Sequence, residues 1–165
     1  GAILMKLITR ALLITSLLLS ATTALAQQGK IELKTVVEKE QRTTNADGES
    51  IVQLVPAEKV VPGDVVIYTV TYTNVADQAV EKVVITNPIG ESLEYVADSA
   101  FGPGAKVSFS VDGGNAFDEL DALTVERNGE RVAATSADLT HIRWTLDGEL
   151  APGSQGFARF RARLN

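Results

Sequence analysis

The sequence predicts an all-β protein: an antiparallel β-sandwich preceded by a cleaved signal peptide. Three observations carry this. About eight short runs alternate between apolar and polar residues, the period of a half-buried strand. Clusters of Gly, Pro, Asn and Asp separate the runs and punctuate the chain as turns. No stretch beyond residue 26 sustains apolar residues at helical spacing over a helix's length.

The N-terminal segment has the three parts of a secretory signal. Lys6 and Arg10 are its only charges, and Met5 is the expected start. A short apolar run from Ala11 to Ser20 follows, then Ala24-Leu25-Ala26, a small-x-small exit, and then polar Gln27 and Gln28. The run is shorter than the roughly 20 residues a spanning helix needs. The expected division is therefore a signal peptide over 1–26 and one domain over 27–165, exported to the periplasm, the cell surface or the medium. The 165-residue chain contains no Cys, which excludes a lipid-bearing cysteine at the exit and any disulfide framework. A core alone must hold the domain together. Without Lys6 and Arg10, 13 basic residues face 21 acidic ones, a net charge of −8. Such a surface disfavours nucleic acid and anionic membranes as partners.

The elements follow in order. Gln28 to Lys39 alternates, with Ile31, Leu33, Thr35 and Val37 on one parity, and predicts a first strand. Gln41 to Ser50 is polar and reads as a long turn, after which Ile51 to Leu54 is a short apolar run. Val60 to Asp64 contains Pro62-Gly63, a turn in which proline presets φ and glycine accepts a positive one. Val65 to Asn74 is nearly all β-branched or aromatic and is the clearest strand. Val66, Tyr68, Val70 and Tyr72 share its inward face. Val80 to Thr86, Leu93 to Val96 and Lys106 to Val111 predict three further strands. Leu123–Glu126 and Arg131–Val132 flank Asn128-Gly129, a favoured two-residue hairpin turn. Ala116 to Leu123 reads as loop or a single helical turn. His141 to Leu146, with Ile142, Trp144 and Leu146 inward, and Phe157 to Leu164 complete the set.

The stretch Val61-Pro-Gly-Asp-Val-Val-Ile-Tyr-Thr-Val-Thr-Tyr-Thr-Asn74, followed by Val83-Val-Ile-Thr-Asn-Pro-Ile89 and Leu93-Glu-Tyr-Val96, resembles a known repeat domain. The family is the conserved repeat of bacterial and archaeal surface proteins termed domain of unknown function 11. The similarity covers about Glu58 to Ser99, and His141–Trp144 and Leu150–Gly153 resemble its closing strands. The resemblance implies a Greek-key immunoglobulin-like sandwich in secreted or surface proteins, often in tandem arrays, and implies no activity. Here one copy is present.

Candidate chemistry is sparse. His141 is the only histidine, so a two-histidine metal site is impossible; Ser136 and Asp138 lie near it, but no nucleophile-elbow motif accompanies them. The expectation is a protein without catalysis. Asp112, Asn115 and Asp118, with Glu119 and Asp121, form an oxygen-rich loop that offers hard ligands to calcium, without the EF-hand spacing; a solvated turn is the competing reading. No other cofactor is expected. Arg159, Arg161 and Arg163 line one face of the last strand, where they could grip an anionic polysaccharide or pair with acids across strands. Tyr68, Tyr72 and Trp144 could stack on sugars, but their parity assigns them to the core. Ile31, Leu33 and Val37 could complete the domain's own sheet or be donated to a neighbour's. Taken together, these residues suggest a structural or adhesive module assembling through sheet edges with itself or other envelope proteins. The rival reading is a secreted module that binds a carbohydrate, a peptide or calcium.

Overall fold

The computed structural model describes residues 30–165, so the expected signal peptide over 1–26 lies outside the described residues. Ten strands run in chain order: β1 (Ile31–Thr44), β2 (Ser50–Pro56), β3 (Val65–Asn74), β4 (Val84–Pro88), β5 (Leu93–Tyr95), β6 (Ala105–Ser110), β7 (Thr124–Arg127), β8 (Glu130–Ala133), β9 (His141–Leu146) and β10 (Gln155–Leu164). Two single 3-10 turns, Leu120–Ala122 and Ser136–Asp138, are the only helical pieces among the described residues.

Two antiparallel sheets form the sandwich, ordered β2-β1-β3-β10-β5 and β4-β9-β6; β7 and β8 make a separate hairpin. Val66, Tyr68, Val70 and Tyr72 of β3 stand opposite Ala162, Phe160, Ala158 and Gly156 of β10. This face meets Ile85, Ile142 and Trp144 of the second sheet in one core. Trp144 and Phe160 are fully buried, with ring centroids 6.1 Å apart, and Phe160 stacks on Tyr68 at 4.9 Å. Burying each such side chain is worth about 1.5–3 kcal/mol. A Cβ at Gly156 would overlap the Tyr72 ring, so glycine is required for tyrosine to lie flat across β10.

The connectivity has its own order. With β1, β3, β4, β5, β6, β9 and β10 taken as seven successive strands, the sheets read first-second-seventh-fourth and third-sixth-fifth. An immunoglobulin constant domain places the fifth strand between the second and fourth, and the seventh beside the sixth. This chain keeps the two-sheet division with those two strands exchanged.

The residues of the Pro-Gly-Asp stretch are held by local bonds and by bonds from distant strands. The Asp64 carboxylate accepts from the Val61 amide at 3.1 Å and pairs with Lys39 at 3.3 Å, while the Gly63 amide donates to the Leu164 carbonyl at 2.7 Å. Asn74, fully buried, donates through Nδ2 to the carbonyls of Gln78 and Leu150, both at 2.8 Å, and accepts from the Ala76 amide at 2.9 Å. It thereby fastens the end of β3 to the turn before β10.

Two boundaries differ from expectation by four residues or more. The polar segment expected to turn from Gln41 instead continues β1 to Thr44, leaving Asn45–Glu49 as the turn. Cross-strand pairing with β2 holds these residues extended despite their polarity. The strand expected over Val80–Thr86 begins only at Val84; Val80 makes an isolated bridge to Leu150, and Lys82 takes a positive φ of 54° that interrupts the ladder.

Candidate functional site

The first strand has two partners. Ile31–Lys39 pairs with β3, whereas Glu38–Thr44 pairs with β2. Because β3 begins at Val65, opposite the step after Lys39, the rest of β1 and most of β2 continue as a two-stranded ribbon. On its outer face Glu40 stands opposite Leu54 and Arg42 opposite Val52. Val52 is 55% exposed and Leu54 45%, although their side-chain types fill the core elsewhere. The seven residues Ser-Ile-Val-Gln-Leu-Val-Pro of β2 carry no charge, and β2 is the end strand of its sheet. Edge strands are ordinarily protected by charge, shortness or covering structure. The opposite edge, β5, is three residues long and contains Glu94.

Ile31, Leu33 and Val37 lie on the inner face of β1, within the domain's own sheet: Ile31 is buried, and the other two pack against the core. The arginines Arg159, Arg161 and Arg163 share the outer face of β10. Arg161 pairs with Glu40 at 2.6 Å, spanning the position of Ile67, which is buried although it points outward. Arg159 donates through Nε to the Thr69 hydroxyl at 3.0 Å and lies over the Phe157 ring at 5.6 Å. Arg163 reaches the Gly63 carbonyl at 3.5 Å and stands opposite Glu94. Phe101, 57% exposed, packs its ring 6.0 Å from Phe157, so two aromatics and Arg159 adjoin on one surface.

The acidic loop is organised inward. Asp112 Oδ1 accepts from the Ser110 hydroxyl at 2.7 Å and from the amides of Asn115 and Ala116 at 3.1 and 3.0 Å. These bonds, led by the one from Ser110, hold its carboxyl below the usual range. Asn115 donates to the Asp112 carbonyl at 2.6 Å, and Asp118 Oδ1 accepts from the Glu119 amide at 2.8 Å. Among the described residues no three His, Cys, Asp or Glu side chains converge as a metal site.

His141 Nδ1 lies 3.1 Å from the Thr140 hydroxyl, and burial lowers its pKa, partly offset by the Asp112 charge. Asp138 is engaged with other partners: its carboxylate accepts from the Thr135 amide and hydroxyl, and the single Arg127 Nη2 donates to both of its oxygens at 2.7 Å. The Thr135 amide leads in lowering its pKa. Buried Ser110 spends its hydroxyl on Asp112 and on the Gly114 amide at 3.0 Å. Ser136, the serine near His141 in sequence, opens the 3-10 turn Ser136–Asp138, so His141 and Asp138 are held by different partners.

Val52, Leu54 and Phe101 are exposed apolar residues that strand parity alone does not mark. The signal for the first two was present: Ile51-Val52-Gln53-Leu54-Val55 is apolar on both parities, a pattern that belongs to a strand covered on both faces. No family model matches the chain, and no curated protein or solved structure matches it either.

Proposed function

We propose that this chain is an exported, non-catalytic structural or adhesive module of the cell envelope or extracellular surface, acting through its sheet edges. The observation that supports the reading best is the β1–β2 ribbon, whose uncharged end strand exposes Val52 and Leu54. Polar groups elsewhere bond inward, as at Asn74, Asp112 and Asp138. The surface-repeat resemblance and the basic–apolar–small N-terminal pattern point the same way. Fractionation of a bacterial host expressing the full chain, with mass spectrometry of the product, tests this. Recovery outside the cytoplasm with Gln27 at the N-terminus is the expected result. Retention in the cytoplasm with the N-terminal segment intact overturns it.

One observation favours a binding module instead. Phe101, Phe157 and Arg159 adjoin on the outer face, a composition suited to stacking on and pairing with an acidic sugar. Titration with uronate- or sulfate-bearing oligosaccharides, compared between the native chain and Arg159→Ala, separates this reading from the first. Saturable binding lost in the variant would favour it.

A further inference from the structure

We infer that the open edge of β2 is a docking strand for a second copy of this chain, joined antiparallel about a two-fold axis at Gln53. This deepens, and rests on, the edge-assembly reading above. The argument begins with the backbone. Along the ribbon, the Asn45 amide donates to the Glu49 carbonyl at 2.9 Å and the Ala57 amide to the Val37 carbonyl at 3.0 Å. Residues in step with 49 and 57, namely Ile51, Gln53 and Val55, therefore direct their backbone groups toward β1. The alternate residues Ser50, Val52, Leu54 and Pro56 direct theirs to the open side, where the sheet ends.

Only some registers use those groups. With the axis at Gln53, Val52 stands opposite Leu54 of the second copy, and Leu54 opposite its Val52. Each is then a pair that exchanges two hydrogen bonds. Ser50 faces Pro56 of the other copy, so the Ser50 amide donates to the Pro56 carbonyl. The amide proline lacks costs one bond per half and leaves the rest of the ladder whole.

The side chains agree on both faces. On the outer face the two copies bring two valines and two leucines together in place of their present exposure. On the other face Ile51 meets Val55. Behind them, the β1 partners put Arg42 beside Val52 and Glu40 beside Leu54. Each apolar row therefore ends in an arginine from one copy and a glutamate from the other, with no like charges set against each other. An uncharged strand whose apolar faces and flanking charges both match under one two-fold operation is self-complementary, as an isologous interface requires.

The chain contains no cysteine, which permits a direct test. The full chain is expressed and purified in whatever N-terminal form the cell leaves. Sedimentation velocity is then run across concentration on the native protein and on Leu54→Lys. Single cysteines are introduced as Gln53→Cys on the axis and Asp47→Cys at the ribbon tip, and both are oxidised mildly. The expected results are a concentration-dependent dimer, weakened about tenfold or more by Leu54→Lys, and a disulfide dimer from Gln53→Cys but not Asp47→Cys. Circular dichroism confirms that each variant is folded. A native chain that stays monomeric, or a dimer indifferent to Leu54→Lys and not trapped at Gln53, overturns the inference. A monomer that is nonetheless exported and adhesive defeats only the two-fold docking. A dimer retained in the cytoplasm defeats only the envelope role.

Discussion

β3 with β10 and β1 with β2 are both antiparallel pairs that carry large apolar side chains, yet these end in opposite environments. Val66, Phe160 and Ala162 are wholly buried because a second sheet covers their face. Val52 and Leu54 stand in solvent because they lie on the outer face of the ribbon, which no second layer covers among the described residues. Residue type sets what a strand gains from being covered; the layer above it decides whether the gain is realised.

Substitutions sharpen that contrast. Truncating Phe160 to alanine removes the ring between Tyr68 and Trp144 and is expected to cost about 3–5 kcal/mol in urea unfolding. A loss below about 1 kcal/mol would mean that the central pair is not the core's anchor. Asn74→Ala removes the three hydrogen bonds of a buried amide, to the Gln78 and Leu150 carbonyls and from the Ala76 amide, and is expected to cost about 1–3 kcal/mol. The loss should appear without any change in m-value if the seam between β3 and the β10 turn opens only with the whole domain.

A pH effect comes next. Burial lowers the folded pKa of His141 below its ordinary 6.5, so the unfolded chain binds the proton more readily. Its contribution is fully present above pH 6.5 and is lost as pH falls from there through the lowered folded value. His141→Gln should flatten the stability profile over that window; an unchanged slope would assign the dependence elsewhere. Asp112 and Asp138, whose pKa values are lowered, act at more acid pH. Their contributions stand above the ordinary 3.8 and fade as pH drops through their folded values.

The smallest effect is expected on the ribbon. Leu54→Ala, measured on dilute monomer, should change stability by no more than about 0.5 kcal/mol. A core-sized loss would show that Leu54 packs under some covering structure and would erase the contrast with Phe160.

Much of this molecule is local chemistry and was legible in the sequence. Val65–Asn74 occupies the expected span because β-branched residues favour extended backbone wherever they pack. Asn128-Gly129 makes the hairpin turn between β7 and β8 because both residues accept the positive φ it demands, 52° and 82°. Trp144 falls inward by parity alone. Of the candidate sites, the shared outward face of Arg159, Arg161 and Arg163 also follows from a two-residue period, as does the inward face of Ile31, Leu33 and Val37. Tertiary structure decided the rest, because strand pairing joins residues far apart in the chain and leaves no periodic trace. It placed β10 between β3 and β5, drew the polar Gln41–Thr44 into a strand, set Glu40 against Arg161, and left the apolar Val52 and Leu54 uncovered.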